Sequence, residues 1–177
     1  MKNARNLILI VEDDEKLRRT LEDFLTANQY AVLSAEDGEQ ALTLYYANNH
    51  LIDLVLLDGM LPGLDGFEVL KNIRQYSDVP IIMLTARESE EDQLTGLTNG
   101  ADNYITRPFR LRILKAHIDV LVTCSHHLNL TILKWGLPAR LPFRAKLKQA
   151  IPACPAVLFF MFIRLRIFFL CRQAHSL

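Results

Sequence analysis

Three short runs of uninterrupted apolar residues, Leu7–Val11, Leu54–Leu57 and Ile81–Leu84, punctuate the first half of the chain. They are continuous rather than alternating, the pattern of strands covered on both faces of a parallel sheet. Tyr30–Ala35 and Asn103–Thr106 are weaker strand candidates. Helical spacing fills the intervals. Leu17, Leu21, Phe24 and Leu25 share one face, as do Leu111, Leu114, Ile118, Leu121 and Val122. Phe67, Leu70 and Ile73 follow a Pro62-Gly63 turn, and Leu94 with Leu97 marks one more amphipathic stretch. Asp37 with Gln40, and Ser89 with Asp92, resemble capping boxes at helix starts. The string is five repeats of strand then helix, ending near Val122. Such alternation predicts an α/β fold, (βα)5, with right-handed crossovers and a five-stranded parallel sheet covered on both sides.

Beyond Val122 the period dissolves. Pro138, Pro142, Pro152 and Pro155 interrupt any long helix. The longest charge-free apolar run, Ala156–Ile163, has eight residues, against the ~20 needed to span a bilayer. Arg164 and Arg166 follow on opposite sides of a helix, so membrane association is not expected.

Charge sharpens this division. The 177 residues are neutral overall, but residues 1–119 hold all 20 acidic groups and 12 basic ones, whereas residues 120–177 hold eight basic groups and no acid. A net of −8 is thus joined to a net of +8, and the zero total is uninformative. Two regions are expected: a domain over residues 1–122, and a basic, apolar, irregular C-terminal tail over 123–177. A chain half hydrophobic is not a disordered one, and seven Gly with seven Pro exclude a collagen-like repeat. Cys124, Cys154 and Cys171 fit no CxxC spacing and are odd in number, so no disulfide framework is expected. The polar start and the short Leu7–Val11 run do not read as a signal peptide, and a cytoplasmic protein is expected.

The chemistry-bearing residues sit where strands end. Glu12-Asp13-Asp14 follows the first strand, Asp58 the third, Thr85 the fourth and Arg107-Pro108 the fifth. In an open α/β sheet, ligands bind beyond the carboxyl ends of the strands, where strand order reverses. With strands one and three adjacent, Asp13 and Asp58 converge. Clustered carboxylates persist ionised where a cation balances them, and a few hard oxygen ligands suit Mg²⁺. A hydroxyl (Thr85) and a fixed cation (Arg107) on the same rim would complete a phosphoryl site. Singly, each residue has an ordinary reading: a helix cap for Glu12–Asp14, a turn for Asp58, a strand end for Thr85, a surface loop for Arg107. Together, at the ends of four of the five strands, they point to a site.

These strings resemble a known family. Ile8–Asp14, Asp53–Phe67, Pro80–Arg87 and Gly100–Phe109 are similar to the receiver domain of bacterial two-component response regulators, the doubly wound, flavodoxin-like fold, with details nearest the winged-helix (OmpR-type) subfamily. The resemblance covers about two thirds of the chain. It implies a phosphorelay protein rather than an enzyme, with Asp58 taking a phosphoryl group from a sensor histidine kinase. It implies Mg²⁺ held by Asp13 directly, by Glu12 through water, by Asp58 and by the Met60 carbonyl, leaving Asp14 to start the first helix. Thr85 would bond the phosphoryl oxygen and Tyr104 would follow it inward; read without the family, Tyr104 is a packed strand-end aromatic.

Three departures stand out. The family's lysine position holds Arg107, which is bulkier and planar. On the fourth-helix to fifth-helix face, paired charges give way to Gln93, Thr98, Asn103, Ile113 and His117, with Asp102 alone keeping its acid, so a weakened homodimer is expected. The tail is too short for a winged-helix output domain, and neither Trp135 nor His126-His127 marks a recognition element, so loss of DNA binding through truncation or an out-of-frame reading is expected. The rival readings are a phosphorylation-independent binding module and a regulator that still binds DNA. A haloacid-dehalogenase-type phosphohydrolase is disfavoured because Met60 stands where a second acid is needed.

Overall fold

The computed structural model describes residues 5–85 and 100–135, with side chains as far as residue 125. Among the described residues, five parallel strands and four helices follow in the order β1 (Leu7–Val11), α1 (Glu15–Ala27), β2 (Ala31–Ala35), α2 (Gly38–Asn48), β3 (Ile52–Asp58), α3 (Gly66–Arg74), β4 (Ile81–Thr85), β5 (Asn103–Thr106) and α4 (Leu111–Trp135). The sheet order is β2-β1-β3-β4-β5, with every pairing parallel. Strand order therefore reverses between β1 and β3, the place where such sheets bind ligands.

Successive side chains of a strand face opposite sides, so a strand buried twice must be apolar throughout. That condition is met by β1 throughout, by β3 from Leu54 to Leu57 and by β4 from Ile81 to Leu84. Leu9, Val11, Val55, Leu57, Ile81 and Met83 enter one core with Val69, Leu70 and Ile73 of α3 and Ala41 and Tyr45 of α2. Ile8, Ile10, Leu54, Leu56, Ile82 and Leu84 enter the other with Leu21 and Leu25 of α1 and Leu114, Ile118, Leu121 and Val122 of α4. Each fully buried aliphatic side chain contributes roughly 1.5–3 kcal/mol relative to exposure. The two cores clamp the central strands and make the sheet's carboxyl rim a rigid base.

Aspartates fix the starts of α1, α2 and α3. Asp14 accepts from the Lys16 and Leu17 amides, Asp37 from Gln40 N, and Asp65 from Phe67 N. The box at Asp37 closes differently from the usual form, since Gln40 Oε1 accepts from Glu36 N.

Some boundaries differ from the sequence expectation. β3 opens at Ile52, not Leu54, and includes Asp53, whose carboxylate accepts the Leu7 amide at 2.8 Å. β2 starts one residue late, after Gln29 takes a positive φ of 68°. The helix expected to fade near Val122 continues to Trp135, because no proline interrupts the chain before Pro138. It is the fifth helix of the expected five. The expected fourth (Ser89, Asp92, Leu94, Leu97), with Gln93 and Thr98, lies outside the described residues, as do the prolines, Cys154, Cys171 and apolar run of the tail and the side chains of His126 and His127. Met1–His126 forms one compact unit and His127–Leu177 a second; of the latter, the helical backbone to Trp135 is described. No described helix is long and apolar enough to cross a membrane.

Candidate functional site

The acidic residues expected to converge do so. Glu12 follows β1, Asp58 ends β3, and these strands pair from Leu7 to Leu57. Carboxylate oxygens of Glu12, Asp13 and Asp58 lie within 4.8 Å of one another. Glu12 and Asp58 are buried, at 0 % and 2 % exposure, while Asp13 faces solvent. The pocket is thus a buried acidic floor with one wet carboxylate at its mouth.

Backbone contacts hold that floor in place. Glu12 N donates to Ala35 O at 3.1 Å, and Gly59 N to Leu84 O at 3.0 Å, which ties the turn after Asp58 to β4. Met60 N donates to Asp58 Oδ1 at 3.0 Å. The chain then doubles back so tightly that a Cβ on Gly66 would lie 1.9 Å from the Asp58 carbonyl oxygen. Only glycine fits against that carbonyl.

Arg107 crosses the pocket. Its Nη2 donates to Glu12 Oε2 in a short contact and lies 2.9 Å from Asp58 Oδ2. Its backbone N donates to Thr85 O at 2.9 Å, and its peptide bond to Pro108 is cis. Thr85, buried at the end of β4, borders the turn after Asp58: a Cβ on Gly59 would meet its Oγ1 at 3.3 Å. Tyr104, in β5, is partly buried and stacks on Phe67 with ring centroids 6.5 Å apart. Met60 is exposed.

Burial pushes the Glu12 carboxyl up to about 7, opposed by Arg107 and reinforced by Asp58 and Asp13. Burial raises Asp58 as well, opposed by the Met60 amide and Arg107. Asp14 moves the other way, its carboxyl lowered by the Leu17 and Lys16 amides, as a helix cap should be.

A hard divalent cation suits this donor set. The ligand atoms are all oxygens, two of the three acids are buried, and Glu12 Oε1 is buried without a hydrogen-bond partner among the described residues. Such an orphaned carboxylate oxygen calls for a cation or its bound water.

One contributor escaped the sequence reading. Arg18 Nη1 donates to Glu12 O at 2.7 Å and to Asp13 O at 3.2 Å, bracing the backbone of the acidic pair from α1. Its position one turn into α1 was the available signal.

Comparison with known proteins agrees with the geometry. The sequence matches the response regulator receiver domain over residues 8–119. It is 46% identical over 115 residues to a probable transcriptional regulator, ycf27, of Cyanidium caldarium, covering 65% of this chain and 45% of that one. Identity is also 46% over 121 residues to the transcriptional regulatory protein CpxR of Klebsiella pneumoniae, covering 68% and 51%. Its fold superposes on the receiver domain of the Francisella response regulator 1452 with a TM-score of 0.64 at 33% identity, covering 67% of this chain and 98% of that one. The chain spans about half the length of the curated relatives it matches. The family match takes in well over half the chain and carries the reversed sheet and its acidic rim, so this chain belongs to the response regulator receiver domain family, among relatives of the OmpR type.

Proposed function

We propose that residues 1–122 act as a phosphorelay receiver, with Asp58 accepting a phosphoryl group from a sensor histidine kinase in a Mg²⁺-dependent step, and that residues 123–177 form a separate basic tail. The observation that carries this reading is the meeting of Glu12, Asp13 and Asp58 within 4.8 Å, with Arg107 in contact with two of them.

Asp58 is the nucleophile. A carboxylate oxygen attacks phosphorus, the P–O bond forms as the P–N bond of the phosphohistidine breaks, and the imidazole nitrogen keeps the electron pair. Asp13, Asp58, Glu12 through water, and the Met60 carbonyl would hold Mg²⁺, which supplies charge neutralisation for the transferred group. The protein's own task is positioning and electrostatics. The amide of Met60, donating to Asp58 Oδ1, fixes the carboxylate plane. Arg107 offers the developing charge a fixed cation beside Asp58. Thr85, at the neighbouring strand end, hydrogen-bonds the new phosphoryl oxygens, and Tyr104 follows it; this biases the surface of β4, β5 and α4 towards its active form. The reading places the protein in the cytoplasm, as a signal carrier rather than an enzyme.

The test is incubation of the full chain with a small phosphodonor and Mg²⁺, followed by intact-mass analysis. A single hydroxylamine-cleavable phosphoryl adduct is expected, absent from Asp58→Asn and from the chelated protein. No adduct on the wild type would overturn the proposal in favour of a phosphorylation-independent binding module, and an undiminished one on Asp58→Asn would overturn Asp58 as the acceptor.

A further inference from the structure

Arg107 engages the acidic pocket in an uneven way. Nη2 alone serves two acids, Glu12 through Oε2 and Asp58 through Oδ2, while Nε is buried with no hydrogen-bond partner among the described residues. The side chain is 24% exposed, so the contact is sheltered from much of the screening that weakens surface pairs. The backbone beneath it is tied to Thr85 O. A guanidinium is planar and broad, with donors spread over a fork, whereas an ammonium is a compact point charge on a flexible stem. The terminal guanidinium nitrogens stand one bond farther from the backbone than a lysine ammonium, and that reach brings the single Nη2 to both Glu12 and Asp58. Both contacted acids belong to the oxygen cluster suited to a divalent ion, and the other oxygen of Glu12, Oε1, is unsatisfied.

We infer that Arg107 is a resident counter-cation of the acidic pocket, which competes with the divalent metal for Glu12 and Asp58 and so lowers the metal affinity of this chain. The inference rests on the receiver reading above. A metal ion entering the cluster brings two positive charges to oxygens already committed to a third. It must either share them, at the cost of like-charge repulsion, or displace the guanidinium. Once displaced, Nη2 and Nε are available together for the paired donation that a planar fork makes to a phosphoryl group. Metal loading and readiness for the phosphoryl group are therefore linked through one side chain. Arg107 is accordingly a competitor of the metal and not a ligand to it.

The test is calorimetric titration of Mg²⁺ into the chelator-treated full chain, comparing the wild type with Arg107→Lys, Arg107→Gln and Asp58→Asn. Removing the charge-assisted contacts to Glu12 and Asp58 should tighten Mg²⁺ binding in Arg107→Gln by about tenfold, equivalent to ~1.4 kcal/mol, with Arg107→Lys between it and the wild type. A second reading is the thermal midpoint: metal-free Arg107→Gln should melt below the wild type, and saturating Mg²⁺ should raise its midpoint further than it raises the wild type's. Should Arg107→Gln fail to fold without metal, Arg107→Lys, which keeps the charge and loses the fork, decides the question. Mg²⁺ affinity equal to or weaker than the wild type's in the Arg107 variants overturns the inference while leaving the receiver intact, provided Asp58→Asn binds Mg²⁺ more weakly. Wild-type affinity in Asp58→Asn defeats the pocket itself.

Discussion

Replacing Gly66 by alanine should damage both stability and the acidic pocket at Asp58, and the size of the effect follows from one distance. The added Cβ would stand 1.9 Å from the carbonyl oxygen of Asp58 and 2.9 Å from its carbonyl carbon, both backbone atoms that cannot rotate away. Comfortable packing requires ~3.5 Å, so the start of α3 or the end of β3 must retreat by more than 1 Å. One effect opposes the loss: alanine favours helix over glycine by up to ~1 kcal/mol, chiefly because glycine gives up more backbone entropy on folding. Forced overpacking costs about 1–3 kcal/mol where side chains can adjust, and more where the backbone must move. Retreat of α3 would also loosen Val69, Leu70 and Ile73 in the core. A net destabilisation of about 2–3 kcal/mol is expected, a fall of roughly 10 °C in melting temperature for a domain of this size. Gly63 is the internal control. Its Cβ would meet nothing within 4 Å, and its φ of 73° alone should limit the cost of Gly63→Ala to about 1 kcal/mol. Urea unfolding followed by circular dichroism measures both. A Gly66→Ala protein as stable as the wild type, or more stable than Gly63→Ala, would refute the steric argument.

The remaining predictions concern other parts of the frame. Arg74→Ala should cost about 3 kcal/mol in urea unfolding, because Arg74 binds Asp102 at 2.7 Å, Val79 O at 2.6 Å and Gly100 O at 2.8 Å, and its loss takes the counter-charge from a part-buried carboxylate. Asp14→Ala should cost about 1 kcal/mol, the usual effect of losing a helix cap, and should lower the thermal midpoint without abolishing phosphorylation. Burial holds the His117 imidazole below its ordinary value of 6.5, and the amide of Asn103 lies 2.5 Å from its Nδ1. The folded state prefers neutral His117 and the unfolded state binds the extra proton. The contribution is therefore complete above pH 6.5 and lost as pH falls through 6.5 towards the lower folded value. A pH series of unfolding free energies should show this slope, and His117→Gln should flatten it; an unchanged slope would count against the histidine.

Much of the fold was legible because β1, β3 and β4 are sandwiched between two helical layers, which forces continuous apolar runs. The site was legible for a related reason: its residues sit at the ends of those runs, and strand order reverses there. Asp53 was hidden, since a polar residue at a strand's start reads as a turn, and its role as acceptor for Leu7 N depends on the partner strand. Arg18 and Arg74 were hidden for a further reason. Each mainly serves backbone carbonyls, which every residue possesses, so no pattern of residue types marks the pairing. The rim cation was foreseen at Arg107, but its reach to both Glu12 and Asp58 depends on loop geometry and not on spacing. The continuation of α4 to Trp135 was missed because the apolar stripe fades after Val122 while nothing in the backbone ends the helix.

The central claim is that Glu12, Asp13 and Asp58 enclose a single divalent-cation pocket. Crystals of the protein soaked in Mn²⁺, with diffraction recorded at the manganese edge, test it most directly. One anomalous peak bounded by the carboxylates of Asp13 and Asp58, with Glu12 beside it, is the expected result. A peak elsewhere, or none while Asp13 and Asp58 remain ordered and together, would contradict the claim.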